Sequence, residues 1–164
     1  MSKDITTFNE LYGRYAQDVY RFVFWLCGDQ EDAKDITSET FTRVWTDDNE
    51  IRPASVKAYL FTIARNLFLH QQRRTKRLSR LTEENAGSTR NTEKITEDRS
   101  ALEQTLKALA TLPDLDRAIL IMRAKEDLSH SEIAFATGLS VAAVKVRLFR
   151  SRAKLAALTT FTQG

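Results

Sequence analysis

The sequence predicts an all-α protein of two small helical domains joined by a flexible linker, the C-terminal one containing a helix-turn-helix. Three observations carry this. Glycine and proline are scarce, 5 and 2 of 164 residues, which argues against the many tight turns of an all-β fold. Apolar residues recur every three or four positions over most of the chain, the period of a helix with one buried face. Between Thr75 and Ser100 that period fails. Glu83, Glu84, Asn85, Gly87, Ser88, Thr89, Asn91 and Thr92 dominate there, and no stretch can bury a useful apolar face. The expected division is a first helical domain over 1–76, a linker over 77–100 and a helix-turn-helix domain over 101–164.

Taken in order, Thr7 and Glu10 have the spacing of a capping box opening a first helix. Phe8, Leu11, Tyr12, Tyr15, Val19, Phe22, Val23 and Leu26 form its apolar face. Gly28 and Asp29 break the chain. A second helix, about 31–45, places Ala33, Ile36, Thr40, Phe41 and Val44 on one side. The polar stretch 46–54, with Pro53, reads as a loop. Ser55 is the expected N-cap of a third helix ending near Arg74, with Val56, Tyr59, Leu60, Ile63, Leu67 and Phe68 inward. Three such helices can share one core. After the linker, the period resumes at Leu102, Leu106 and Leu109, and Pro113 falls in the first turn of the following helix, which carries Ile119, Leu120 and Met122.

Two short helices end the chain. Ser129 and Glu132 have capping-box spacing, Ile133, Ala134 and Ala136 supply packing, and Gly138 sits where a left-handed residue ends a helix cheaply. Leu139 plugs the corner, and Ser140 caps a helix from Val141 to about Leu158. Val141, Val144, Leu148 and Leu155 form its packed seam, while Lys145, Arg147, Arg150 and Arg152 project elsewhere. An apolar seam to fix the angle and a cationic flank for phosphates and base edges are what a recognition helix requires. A basic face is more often merely solvated, but here both caps, the Gly-Leu-Ser corner and an acid-free basic run coincide. Taken alone, the motif fits an operator reader that binds as a dimer.

Charge is distributed unevenly although the net value is only +3. Segments 65–80 and 145–154 are basic and free of acids. From Asp29 to Glu50, by contrast, eight acids face only Lys34 and Arg43. The pattern implies two nucleic-acid contacts and a different kind of partner surface. No apolar run approaches the ~18 residues of a membrane span, and the N-terminus lacks a signal-peptide pattern. The single cysteine, Cys27, lies in an apolar stretch and reads as a small core residue. A cytoplasmic protein without membrane insertion is expected. His70 and His130 are isolated, and no metal-ligand cluster, nucleophile–base arrangement or phosphate loop occurs. A non-enzymatic protein with no metal and no cofactor is therefore expected.

The segment Asp32-Ala33-Lys34-Asp35-Ile36-Thr37-Ser38-Glu39-Thr40-Phe41-Thr42-Arg43-Val44-Trp45 resembles the core-polymerase-binding helix of bacterial sigma factors. Tyr59-Leu60-Phe61-Thr62-Ile63-Ala64-Arg65-Asn66, followed by Arg73-Arg74, is similar to their −10-binding helix. Three further segments are similar to their −35-binding domain: 112–120, 128–134 and Val144-Lys145-Val146-Arg147-Leu148-Phe149-Arg150-Ser151-Arg152. Nearly the whole chain is covered, in order, and at 164 residues it resembles the minimal extracytoplasmic-function (ECF) type. Ser38 departs from the Gln often found in the family.

The resemblance implies a factor that binds core RNA polymerase and directs initiation at promoters. It implies polymerase contacts at Asp35, Glu39, Phe41, Arg43 and Trp45. It implies capture of single-stranded −10 DNA by Asp48, Asn49, Arg52, Lys57, Arg65, Asn66, Arg73 and Arg74. For duplex −35 DNA it implies Ser140, Val141, Ala142, Lys145, Val146, Arg147, Phe149, Arg150 and Arg152. An anti-sigma factor is a common partner in the family. The competing readings are a dimeric operator-binding regulator and an interaction protein that occupies polymerase without reading DNA. The first has no use for the Ile63-Ala64-Arg65-Asn66 helix with its basic tail, and the second has none for a basic recognition helix.

Overall fold

The computed structural model describes residues 5–46, 56–81 and 97–163, and all their regular structure is α-helical: α1 (Ile5–Cys27), α2 (Gln30–Thr46), α3 (Val56–Leu81), α4 (Glu97–Ala110), α5 (Asp114–Ala124), α6 (His130–Thr137) and α7 (Val141–Gln163). The first three helices pack mutually. Val19, Phe22, Val23 and Leu26 of α1 meet Ala33, Ile36, Phe41 and Val44 of α2 and Leu60, Phe61, Ala64, Leu67 and Phe68 of α3, all buried. Phe22 and Phe61 stack with centroids 4.5 Å apart. Thr37 and Thr40 can lie in this interior because their hydroxyls donate to the carbonyls of Ala33 and Ile36. Between α1 and α2, Gly28 takes a left-handed conformation (φ 72°), and the Asp29 carboxylate accepts the Asp32 amide at 2.9 Å. That is the break and restart expected at this point.

Several boundaries differ from the sequence reading. Helix α1 begins at Ile5, so Thr7 lies inside the first turn and does not cap it. Helix α3 continues past Arg74 to Leu81, and α4 begins at Glu97, so both ends of the expected linker are helical. The extension is exposed and buries no face, so apolar period could not announce it; its residues simply include no glycine or proline. Residues 82–96 of the linker, and the expected Ser55 cap and 47–54 loop, lie outside the described residues. Pro113 precedes α5 as its N-cap, one position earlier than expected. Helix α7 runs five residues beyond Leu158.

Helix α5 organises the second half. Six consecutive residues, Arg117 to Met122, are buried, which one amphipathic face cannot achieve. The cause is that α5 touches α1 on one side and α6 and α7 on the others. The two halves of the chain therefore pack on each other, α1 against α5 and α3 against α6. Leu128, Ile133, Ala136, Val144 and Leu148 close the core around α6 and α7.

Candidate nucleic-acid interface

The helix-turn-helix forms as its sequence specifies. Ser129 Oγ accepts the Glu132 amide at 3.1 Å, and the Glu132 carboxylate accepts the Ser129 amide at 2.9 Å. Gly138 ends α6 at φ 74°, a conformation that costs a residue with a Cβ. Ser140 then caps α7 by accepting the Ala143 amide at 3.1 Å. These anchors aim α7, whose Val144, Leu148 and Ser151 are buried while Leu155 packs at the margin. Val141 does not join that seam: it is exposed in the first turn.

The outer face of α7 consists of Ala142, Lys145, Val146, Phe149, Arg150 and Arg152, all exposed. Phe149 is 75% exposed, an unusual position for a ring, and none of the described residues covers it. Cations alternate here with bare apolar groups. Such a surface can hold phosphates and lie against base edges and thymine methyls in a major groove. Arg147 is placed differently. It turns inward and donates to Asp116 of α5 at 2.9 Å, so its charge is already engaged. Phe135, exposed on α6, is an added apolar group beside the motif that the sequence reading passed over.

The candidates on α3 separate into two sets. Asn66, Arg73 and Arg74 are exposed. Lys57 and Arg65 turn toward the second half of the chain. Lys57 Nζ donates to the Glu126 carbonyl at 2.8 Å and lies 3.3 Å from its carboxylate. Arg65 is half-buried, and its Nε has no hydrogen-bond partner among the described residues. Burial lowers its pKa, opposed by the charge of Asp114. Thr62 adds a hydrogen bond to the Ala136 carbonyl of α6 at 3.2 Å. Asp48, Asn49 and Arg52 lie outside the described residues.

On α2, Asp35, Glu39 and Arg43 form an exposed stripe at four-residue spacing. Arg43 and Glu39 approach to 3.6 Å, an open pair of little energetic weight. Phe41 is buried to 2% exposure under Tyr12, with centroids 5.0 Å apart, and Phe8. A direct partner contact by Phe41 is thereby corrected to an internal role supporting its neighbours. Trp45 keeps 39% exposure and packs edge-on against Phe8 at 4.9 Å. It is the aromatic group at the end of the acidic stripe. No group of three potential metal ligands occurs among the described residues.

The model of sigma-70 region 2 matches residues 11–78, and that of sigma-70 region 4 matches 102–155. The ECF RNA polymerase sigma factor SigM of Bacillus subtilis is 30% identical over 93% of this chain and 94% of its own. SigE of Mycolicibacterium smegmatis is 33% identical over 91% of this chain, which spans only 60% of that relative. Among solved structures, the sigma factor RpoE of Bartonella quintana, in complex with the anti-sigma factor NepR, superposes with a TM-score of 0.80 at 23% identity, covering 95% of this chain and 98% of RpoE. CnrH, in complex with the cytosolic domain of CnrY, gives 0.73 at 27% identity, covering 97% and 91%.

Proposed function

The chain belongs to the ECF group of sigma-70 factors, the sigma subunits that direct promoter-specific transcription initiation, and we propose that it does so through three surfaces. The exposed stripe of α2 with Trp45 docks core RNA polymerase. Helix α3 takes the melted −10 strand. The outer face of α7 reads the −35 duplex. The observation that carries this reading is the outer face of α7, where Lys145, Val146, Phe149 and Arg150 are all exposed on a helix whose angle is fixed by two caps and a buried seam. Residues 1–76, with α3 extended to Leu81, form the polymerase and −10 unit. Residues 101–164 form the −35 unit, and 77–100 lies between.

On α3, Asn66 offers both a donor and an acceptor to a base edge. Arg73 and Arg74 supply charge to the strand's backbone. Removing a base from its stack costs a few kcal/mol, which contacts at the site must offset. The chain acts by binding energy and contributes no catalytic group; bond formation belongs to the polymerase. Its place of action is the cytoplasm, and none of its described helices is long and apolar enough to cross a membrane. An anti-sigma factor is a further partner, as NepR is for RpoE in the similar structure.

The test is reconstitution with core RNA polymerase, followed by sequencing of the transcripts made from genomic DNA. Initiation at a small set of sites sharing −10 and −35 elements is expected, with weak duplex binding by the protein alone. Tight binding of an operator by a dimer, with no polymerase association, would overturn the assignment.

A further inference from the structure

The outer face of α7 is ordered as well as exposed and basic. At about 100° per residue, Ala142, Val146 and Phe149 fall within about 60° of one another and form an apolar row along the helix. Val146 keeps 47% exposure and Phe149 75%. Lys145 and Arg152 flank the row on one side and Arg150 on the other, all exposed. Two other cations of the helix are engaged, Arg147 by Asp116 and Lys154 by the Thr111 carbonyl at 3.0 Å. From Val141 to Leu158 there is no carboxylate and no amide side chain, and the one hydroxyl, that of Ser151, belongs to a buried residue. Ser140, just before this stretch, is engaged as the helix cap.

That inventory limits which bases α7 can read. A recognition helix contacts base edges with its N-terminal residues. In a major groove adenine is matched by an amide, cytosine by a carboxylate, guanine by Arg or Lys, and thymine by apolar contact with its methyl. From Val141 to Leu158 the helix holds readers of the last two kinds alone. Its cations stand at the flanks of the face and its apolar row in the middle. Seated with the row toward the groove floor, the helix sends those cations to the walls, where the phosphates of the two strands run. Val146 and Phe149 lie about 4.5 Å apart along the helix axis, against about 3.4 Å between successive bases of a strand, so the pair matches neighbouring thymines. In the free chain the Phe149 ring faces water, and a thymine methyl laid against it removes apolar surface from water on both sides.

We propose that the row of Ala142, Val146 and Phe149 sets −35 specificity by contact with the methyl groups of two adjacent thymines. Phe149 is the principal reader, and the flanking cations hold the backbone. The inference rests on the reading of α7 as the −35 helix. Each buried methyl is worth about 4-fold in affinity.

The test uses holoenzyme reconstituted from the full chain and core RNA polymerase, on the promoter duplex that transcript sequencing identifies. Each thymine of the −35 region, on either strand, is replaced in turn by deoxyuridine, which pairs identically and lacks only the methyl. Competition binding gives the ratio of thymine to uracil affinity, taken within each variant so that a general loss of affinity cancels. The parent should lose about 4-fold at each of two neighbouring positions and nothing elsewhere. Phe149→Ala should bind thymine and uracil alike at one of those positions, and Phe149→Leu should keep part of the discrimination. Arg150→Ala should weaken every duplex equally and leave the ratio at the parent value. A parent ratio of one at every position overturns methyl reading, as does a −35 element without neighbouring thymines, or a ratio that Phe149→Ala and Val146→Ala both leave intact. In each of those cases a weakened Arg150→Ala keeps α7 on the duplex. If Arg150→Ala, Phe149→Ala and Val146→Ala all bind as the parent does, the assignment of α7 falls with the proposal.

Discussion

At the scale of single residues, burial and pairing separate side chains that look alike in the sequence. Arg147 and Arg150 both lie in the acid-free run of α7, one turn apart. Arg147 is held by Asp116, 31 positions upstream, and Arg150 is exposed. No local pattern reveals an ion pair closed by tertiary packing, so the sequence marked both as DNA contacts. Phe41 is a similar case: its apolar period was legible, but the depth at which Tyr12 and Phe8 cover it was not. Arg150→Ala should weaken holoenzyme binding to −35 duplex and reduce the slope of log affinity against log salt by about one unit, the loss of one phosphate contact. Arg147→Ala should leave that slope nearly intact and instead lower the unfolding midpoint, because Asp116 loses its partner. Filter binding over a salt series distinguishes them; equal slope changes in the two variants would return Arg147 to the DNA face.

At the scale of elements, local chemistry made the helix-turn-helix readable. The Ser129–Glu132 box, the Gly138 terminus and the Ser140 cap are interactions within a few residues, and each formed as its spacing implies. Helix ends without such signals do not show in the sequence. The α3 extension buries nothing, and the start of α1 lies upstream of an apparent cap that is not one. Gly138 gives a direct measure of how much the corner depends on backbone freedom. A Cβ there would meet nothing within 4 Å, so only the left-handed conformation (φ 74°) penalises a side chain. Gly138→Ala should therefore destabilise by about 1–2 kcal/mol, and Gly138→Asn by less, since Asn tolerates this region. Urea unfolding of the two variants tests the order; an Ala variant as stable as the parent would show that α6 can end another way.

At the scale of the whole molecule, the packing of the two halves on each other escaped the sequence because the groups that join them are far apart in the chain. One clue was present. Arg117-Ala118-Ile119-Leu120-Ile121-Met122 is apolar all round except for one arginine, more than a helix with a single neighbour can bury. Arg117 explains its own place in that run. Its guanidinium, at 8% exposure, donates to the carbonyls of Leu109, Leu112 and Leu26 and to Asp114, tying the α4–α5 corner together and reaching the end of α1. Three of these acceptors are backbone carbonyls at or between helix ends, where donors within a helix run out; that of Leu109 also accepts the Leu112 amide at 3.0 Å. Arg117→Ala removes this donor from the Leu26 and Leu112 carbonyls, at a cost of roughly 3 kcal/mol. For a chain of this size, that corresponds to a fall in Tm of roughly 6–12 °C. Arg117→Lys should recover little, because an ammonium is a point donor and cannot span carbonyls that a planar fork reaches together. Calorimetry of both variants decides the matter. A lysine variant that melts with the parent would mean that Arg117 acts through its charge on Asp114 and not through the carbonyls it bridges.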